Sequence, residues 1–267
     1  MTRRRLDTEL VRRGLATGKA EAREAVLAGL ITVGGAPATN AAMMVAADQP
    51  VALRAPARRF VSRGGEKLRA ALERFGLDPA GAVCLDAGAS TGGFTDCLLQ
   101  AGASRVVAVD VAYGQLAWEL RTDDRVTVME RCNVRDLTPA DLPFSPVFLV
   151  ADLSFMSLRT VLPALVSVAA PGATFVALVK PQFEAGPGDV GQGGVVRDPE
   201  VWRRVLLEVT LSASTSGLTV RGIMASPITG PAGNVEFFLH AVVNGAPGID
   251  VESIVSSAVD AGLELRG

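Results

Sequence analysis

The sequence predicts an α/β protein, in which a mostly parallel seven-stranded sheet carries helices on both faces and a small α+β module precedes it. From residue 64 onward, apolar segments that read as strands alternate with helical patterns, as is typical of a parallel sheet covered on both sides. The last two strand segments follow each other closely, so the final strand is expected to be antiparallel. Charge divides the chain near the same place. Residues 1–70 carry 13 Lys and Arg against 6 Asp and Glu, whereas the rest carries 13 against 22.

Residues 1–56 are expected to form the small module. Helical spacing of apolar residues predicts one helix from Arg5 to Gly14, and a second that Thr17 caps and Gly29 ends. Short strands are expected at residues 31–35 and 50–53. A basic module of this kind suits a polyanion, because Lys and Arg bind phosphates without reading sequence.

The same segment resembles the RNA-binding module of the ribosomal protein S-four type. The resemblance is carried by Arg5-Leu-Asp, by residues 10–16 and by residues 29–35. It implies an RNA partner, and residues 57–63 then read as a linker to the larger domain at residues 64–267. RNA contacts are expected from Arg3, Arg4, Arg5, Arg12, Arg13, Lys19, Arg23, Arg58, Arg59, Phe60 and Arg63.

In the larger domain the strands and helices alternate in order. The expected strands are residues 82–86, 105–110, 125–129, 146–152, 173–180, 219–225 and 235–243, and the expected helices are residues 64–76, 93–101, 114–121, 158–168, 199–216 and 250–265. Residues 183–198 contain five glycines and almost no apolar run. We therefore expect a mobile loop there, which could act as a lid.

The first strand of this domain leads into a glycine turn and then a helix. A dinucleotide site would need Gly-x-Gly-x-x-Gly, but Ser90 stands where the second glycine belongs. The pattern Asp86-x-Gly-x-Ser-x-Gly-Gly instead resembles the first motif of S-adenosylmethionine-dependent methyltransferases, whose fold is a Rossmann-like α/β sheet. Asp110 ends the next strand, where an acid can accept both ribose hydroxyls. Asn133 follows the third strand and is placed to touch the adenine edge.

Other residue types narrow the chemistry. The single histidine, His240, lies among apolar residues, and the three cysteines have no paired spacing, so neither a metal site nor a disulfide is expected. No run of about 18 apolar residues is present, so no membrane span is expected. We expect a cytoplasmic monomer.

Four charged residues stand at strand ends or beside the expected sheet, namely Lys67, Asp152, Lys180 and Glu236. Charges buried without partners would be costly there. Together they suit a weakly acidic hydroxyl acceptor, because a lysine can orient a ribose 2′-OH and stabilise the alkoxide that develops during in-line attack on a methyl group. The set resembles that of FtsJ/RrmJ-like 2′-O-methyltransferases.

Longer strings extend this resemblance over nearly the whole chain, to the TlyA family of ribosomal RNA (cytidine-2′-O)-methyltransferases. They are residues 62–64, 85–94, 113–118, 151–155, 178–184, 193–196 and 230–237. The resemblance implies that Lys67, Asp152, Lys180 and Glu236 are catalytic. It also implies cytidine in ribosomal RNA as the substrate, and the helical tail at residues 250–265 is similar to that of the long-form members, which act on both 16S and 23S RNA.

Under this resemblance S-adenosylmethionine is the cofactor. Its contacts are expected from Asp86, Gly88, Ser90, Thr91, Gly92, Gly93, Phe94, Asp110, Val111, Gln115, Asn133 and Asp152. Two alternatives remain open at this point. The chain could be a catalytically silent RNA-binding factor of ribosome assembly, or a membrane-active protein, as the haemolysin label used for some of these proteins suggests.

Overall fold

The computed structural model describes residues 3–54, 59–246 and 249–266. The chain divides into two compact units, residues 1–58 and residues 59–267.

Over residues 3–54, the first unit has two short helices and five very short strands. Its elements are β1 (Arg3–Arg5), α1 (Leu6–Arg12), α2 (Lys19–Leu27), β2 (Ile31–Val33), β3 (Ala36–Pro37), β4 (Met44–Ala46) and β5 (Val51–Leu53). Strand β1 pairs antiparallel with β4, and β2 pairs antiparallel with both β3 and β5. Leu6, Leu10, Ala22, Val26 and Ile31 form the buried centre of this unit.

The two predicted helices and two predicted strands are present in this unit, but one detail was wrong. Thr17 does not cap α2, since the residue at the cap is Gly18 in an extended conformation. The Thr17 amide instead donates to Glu21 Oε2 at 2.6 Å. Glu21, in the first turn of α2, therefore binds the residue that directly precedes the Gly18 cap.

The second unit contains the predicted seven-stranded sheet. Its strands are β6 (Val83–Ala87), β7 (Arg105–Asp110), β8 (Val126–Glu130), β9 (Phe148–Ala151), β10 (Thr174–Val179), β11 (Leu218–Ala225) and β12 (Phe237–Val243). Their order across the sheet is β11-β12-β10-β9-β6-β7-β8. Strand β12 is antiparallel to both of its neighbours, and the remaining pairs are parallel. The expected α/β fold with an antiparallel last strand is confirmed.

Helices cover both faces of this sheet. They are α3 (Arg63–Phe75), α4 (Gly93–Gln100), α5 (Trp118–Arg121), α6 (Leu162–Val168), α7 (Pro181–Glu184), α8 (Pro199–Thr215) and α9 (Val251–Glu264). One apolar cluster lies between the sheet and α6, α8 and α9, and another lies between the sheet and α3 and α4. Helix α5 is shorter than predicted, because Gly114 adopts a left-handed conformation with φ of 73° and cannot begin a helix there.

The segment at residues 183–198, where we expected a mobile loop, contains short helical turns and several hydrogen bonds. Its second half is held by Asn234, whose Oδ1 accepts from the Val196 amide at 2.9 Å and whose Nδ2 donates to the Gly194 carbonyl at 2.9 Å. The Trp202 indole also donates to the Val196 carbonyl at 3.1 Å. Val196 is buried. The second half of this segment is therefore held by hydrogen bonds in the structure, and the expectation of a mobile lid stays a prediction.

Candidate active site

The glycine turn after β6 is shaped by the protein's own atoms. Gly88 has φ of 86°, and a Cβ there would lie 2.5 Å from the Asp152 carbonyl oxygen at the end of β9. A Cβ at Gly92 would collide with Leu120, and one at Gly93 would collide with Ser62. Because protein atoms already fill these spaces, Gly92 and Gly93 permit close packing of the turn, and their expected contact with the cofactor stays a prediction.

A cleft of about 390 Å³ opens between the ends of β6, β7, β8 and β9. We call it the cofactor cleft. Of the residues expected to bind the cofactor, it is lined by Gly88, Ser90, Asp110, Val111, Gln115, Asn133 and Asp152. The Asp110 carboxylate is held in place by the Ser90 and Ala112 amides, which donate to its two oxygens at 2.7 Å each. Each of these oxygens can still accept a second hydrogen bond from a ligand.

A second cleft of about 270 Å³ adjoins the first, and we call it the acceptor cleft. Gly88, Ser90, Asp152 and Ser154 line both clefts, so the two form one continuous groove. All four residues predicted to be catalytic line the acceptor cleft, namely Lys67, Asp152, Lys180 and Glu236. Thr91, Gly93 and Phe94 also lie here and not in the cofactor cleft, where we had expected them.

The four charged residues form two pairs. Lys67 Nζ lies 2.5 Å from Glu236 Oε2, and both side chains are almost completely buried. Lys180 Nζ lies 2.6 Å from Asp152 Oδ1, as an ion pair whose angles fall outside hydrogen-bond geometry. The Lys180 ammonium donates a hydrogen bond to Ser154 Oγ at 3.0 Å. The acceptor cleft therefore presents a positioned lysine amine, held by Asp152 and Ser154, two residues that line both clefts.

Comparison with known proteins assigns the family. The FtsJ-like methyltransferase family matches residues 60–242, and the S4 domain matches residues 4–51. The chain belongs to the TlyA family of FtsJ-like methyltransferases. It is 52% identical over 238 residues to the 16S/23S rRNA (cytidine-2′-O)-methyltransferase TlyA of Mycobacterium tuberculosis, over 89% of each chain. It is 35% identical to Hemolysin A of Brachyspira hyodysenteriae, over 90% of this chain and 100% of the relative.

A solved structure agrees with this assignment. The structure of a candidate hemolysin from Streptococcus thermophilus superposes with a TM-score of 0.77 at 39% identity, covering 100% of this chain and 98% of the other. This TlyA-family chain is therefore a methyltransferase, and its cofactor is S-adenosylmethionine, as the motif around Ser90 predicted.

Asp86 occupies a different place from the one we expected in a TlyA-family chain. It is fully buried and lines neither cleft, so a direct contact with the cofactor was a wrong expectation. Asp86 Oδ2 accepts a hydrogen bond from Thr95 Oγ1 at 2.6 Å, while Oδ1 has no partner in the part of the chain that is described. Burial raises the pKa of this carboxyl to about 7, against the opposing effect of the Thr95 hydrogen bond. Asp86 therefore supports the turn from beneath.

The basic residues of the S4 domain are organised around two buried acids. Asp7 Oδ2 lies 2.8 Å from Arg5 and 3.4 Å from Arg23. Glu9 binds Arg12 and Arg13, at 2.6 Å and 2.8 Å, and lies 3.9 Å from Arg4. These contacts hold the guanidinium groups in fixed orientations at the surface of the unit.

Two residues of the expected RNA-binding set, Arg13 and Phe60, make other contacts than expected. The Arg13 guanidinium donates to the carbonyls of Gln49 and Ala47 at 3.0 Å each, so it ties α1 to the chain between β4 and β5. Phe60 is buried, and its ring packs where a Cβ of Gly65 would lie, so it cannot face RNA. Arg63 lines the acceptor cleft, and its contact with RNA stays a prediction. Arg58 lies outside the described residues.

Sequence reasoning missed Phe155, which lies at the rim of the cofactor cleft of this TlyA-family chain. Its side chain is 92% exposed and its backbone has φ of 62°, a strained conformation for an aromatic residue. The ring centroid lies 5.3 Å from that of Phe183. The available signal was an aromatic residue placed three positions after the strand-end acid Asp152, in a chain with only 5% aromatic residues. Strain of this kind at a cleft is a reason to test for function.

No three His, Cys, Asp or Glu side chains of the described residues lie close enough together to hold a metal ion. Among the helices described, none combines the length and apolar character needed to cross a membrane.

Proposed function

We propose that this protein transfers a methyl group from S-adenosylmethionine to the 2′-hydroxyl of a cytidine in ribosomal RNA. The observation that carries the proposal is the position of Lys180. Its amine pairs with Asp152, a residue that lines both the cofactor cleft and the acceptor cleft. A group at this junction can touch an acceptor oxygen close to the place where the methyl group would be delivered.

The cofactor cleft has a donor and acceptor set that fits S-adenosylmethionine. Asp110 offers carboxylate oxygens suited to ribose hydroxyls, and Asn133 offers an amide suited to a base edge. Leu153 and Met156 supply apolar walls. When bound, S-adenosylmethionine supplies an electrophilic methyl group on a positively charged sulfur.

The chain's own residues would act on the acceptor. Lys180 would orient the hydroxyl and stabilise the negative charge that develops on its oxygen. As the oxygen takes the methyl group, the hydroxyl proton would pass to the Asp152 carboxylate, which lies in the same cleft. Asp152 and Ser154 would hold the Lys180 amine in position, through the contacts of 2.6 Å and 3.0 Å. The buried Lys67–Glu236 pair would form the far wall of the acceptor cleft and keep it free of uncompensated charge.

The RNA would be held by the basic front of the chain. We assign RNA binding to residues 1–56, a linker to residues 57–63 and methyl transfer to residues 64–267. The match to an S4 domain supports the first assignment. Arg3, Arg4, Arg5, Arg12, Lys19 and Arg23 are the residues that we place on the RNA, because they are exposed or partly exposed in that unit. We further propose a monomer that acts in the cytoplasm.

The 52% identical relative is named a 16S/23S enzyme, which supports action on both ribosomal RNAs. Helix α9, the predicted tail, is present in this chain and supports the long-form assignment. The test is transfer of tritiated methyl groups to purified small and large ribosomal subunits from cells lacking the protein, followed by mapping of 2′-O-methyl positions. Label on a cytidine of each RNA is the expected result. Label on one subunit only would show that the protein acts on a single ribosomal RNA. The absence of label on both subunits would overturn the proposal that the protein is an rRNA methyltransferase.

The two alternatives predict different experimental results. A silent assembly factor would bind subunits without transferring label. A membrane-active protein, as the hemolysin names of relatives suggest, would release dye from liposomes without added factors. We expect no release.

A further inference from the structure

A separate cavity of about 590 Å³ lies at the β11 edge of the sheet. It is open to solvent and is bordered by the end of α3, by β11 and β12, and by α9. Its lining residues are Arg74, Phe75, Arg221, Gly222, Ile223, His240, Val242, Ile254 and Ser257. None of these residues lines the cofactor cleft or the acceptor cleft.

The backbone of β11 directs Arg221 out of the regular strand pattern. Val220 pairs with Ala241 and Gly222 pairs with His240, so Arg221 is the extra residue of a β-bulge. Bulges at sheet edges redirect a side chain and are frequent near functional sites.

Next to the bulge, a glycine makes room for an aromatic ring. A Cβ at Gly222 would lie 2.9 Å from Phe75 Cε1, so this position cannot carry a side chain without moving Phe75. The Phe75 ring lies 5.3 Å from the His240 ring, centroid to centroid. The packing therefore fixes the imidazole on the cavity wall.

The charged groups that face the cavity are all basic. Arg74 comes from α3 and Arg221 from β11, while α9 contributes only Ile254 and Ser257. Within residues 3–54, 59–246 and 249–266, neither guanidinium has a carboxylate within 4.0 Å. Burial, and secondly the Arg221 charge, lower the pKa of His240. An anion in this cavity would offset the positive charges of Arg74 and Arg221.

We propose that this cavity binds a phosphate group of the RNA chain, with the Arg74 and Arg221 guanidiniums donating to its oxygens beside His240. The lining includes no carboxylate or amide side chain that could hold ribose hydroxyls or read a base edge. It therefore suits backbone positioning and not recognition of a free nucleotide. That the RNA is a methylation substrate rests on the proposed function.

His240 makes the test specific, because it is the only histidine in the chain. Its ring Cε1–H resonance can be followed by NMR in the full-length protein without an assignment ambiguity. On adding a short hairpin RNA we expect this resonance to move and the pKa of His240 to rise, because a bound phosphate favours the imidazolium. Arg74→Gln with Arg221→Gln should raise the RNA concentration needed for half the shift by about tenfold.

The matched control is Arg69→Gln, which removes the same charge from α3. The Arg69 guanidinium is already bonded to Glu73, 2.5 Å away, and it lies outside this cavity. This variant should leave the titration unchanged. Thermal unfolding of each variant establishes that the fold is kept, and Arg221→Lys, which keeps the charge, should retain most of the response.

Inorganic phosphate and cytidine monophosphate serve as the other probes. They should move the resonance only at far higher concentration than RNA. An equal response to the mononucleotide would make this a small-molecule site and overturn the inference, and so would an absent response at saturating RNA. If methyl transfer to ribosomal subunits fails while the RNA response of His240 persists, the proposed function falls and the phosphate site stands.

Discussion

Lys67 and Glu236 are 169 positions apart in the chain and meet as a buried ion pair, with 2.5 Å between Nζ and Oε2. Removing one partner leaves the other charge buried and unpaired, which is far more costly than the pair itself is worth. We expect Lys67→Met to lower the free energy of unfolding by about 3 kcal/mol. Urea unfolding measures this directly.

The double variant Lys67→Met with Glu236→Leu removes both charges and should recover most of the lost stability. Methyl transfer should nevertheless stay lost, because we place the pair in the wall of the acceptor cleft. A double variant that regains both stability and methyl transfer would show that the pair is structural only.

Lys180 can be separated from the cofactor by comparing two assays. We expect Lys180→Ala to lower methyl transfer by about 10²–10³-fold, the typical cost of losing a group that stabilises developing charge. Binding of S-adenosylmethionine, measured by calorimetry, should change little, because Lys180 lines the acceptor cleft and not the cofactor cleft.

Ser154→Ala is the graded control for Lys180. It removes only the hydrogen bond of 3.0 Å that helps to hold the amine, so activity should fall by less than about tenfold. If Lys180→Ala lost cofactor binding and methyl transfer to the same extent, the lysine would have a structural role and not the one proposed.

These predictions rest on features that the sequence could provide. Asp110, Asp152 and Lys180 each follow a strongly apolar strand, and parallel strands end at one edge of the sheet, so their convergence was predictable. Which lysine pairs with which carboxylate was not predictable, because the pairing depends on the directions of side chains from distant segments of the chain. Strand β12 lies between β10 and β11 in the sheet, and Glu236 directly precedes it. The order of the strands along the chain does not show that this position lies next to Lys67.

Other features were beyond sequence reasoning for identifiable physical reasons. Phe60 looked like an exposed linker residue, but its burial depends on the space that Gly65 leaves, which no local pattern records. Strands β1 and β3 were not predicted, because β1 consists of three arginines and β3 of only two residues, so neither shows an apolar pattern. The close packing of Gly92 against Leu120 was not predictable either, because that contact joins separate segments of the chain.

Asp86 should make stability depend on pH in an unusual direction. Burial raises its pKa to about 7, well above the value of about 3.9 expected in the unfolded chain. Folding therefore favours the protonated acid, and its stabilising contribution is complete below about pH 4 and is lost as the pH rises through about 7. Asp86→Asn removes this titration.

Relative to the wild type, Asp86→Asn should gain roughly 2–3 kcal/mol between pH 5 and pH 8, as measured by urea unfolding at both values. Subtracting the two proteins cancels the other titrating groups. Affinity for S-adenosylmethionine should change little, because Asp86 lines neither cleft. A difference in unfolding free energy that is constant across this range would mean that Asp86 is ionised in the folded protein.

For Asp7 we expect a change in RNA affinity opposite to the one that net charge alone would give. Its buried carboxylate holds Arg5 at 2.8 Å and Arg23 at 3.4 Å. Asp7→Asn removes a negative charge from a basic surface, yet we expect RNA affinity to fall roughly fivefold, because the arginines lose the group that orients them. Fluorescence anisotropy with a labelled ribosomal RNA fragment measures the change.

Glu24→Gln removes the same charge from an exposed position of α2 and should leave affinity equal or slightly higher. Both variants are compared at a temperature well below their unfolding transitions. If Asp7→Asn bound RNA as tightly as Glu24→Gln does, the number of charges would matter and their orientation would not.

Phe155 combines strain with exposure, and the two can be tested in a single substitution. With φ of 62° and 92% of its side chain exposed, it contributes strain and little packing beyond its contact with Phe183. Glycine adopts this conformation without penalty, so Phe155→Gly should leave the free energy of unfolding unchanged or raise it by up to about 1 kcal/mol.

Methyl transfer to ribosomal subunits by Phe155→Gly should fall at least tenfold, because an exposed ring at the rim of the cleft can stack on a base of the RNA (stacking is worth ~1–3 kcal/mol per base). Phe155→Tyr, which keeps a ring at the same place, should retain most of the activity. A glycine variant with full activity would leave the strained backbone of this residue without a functional reason.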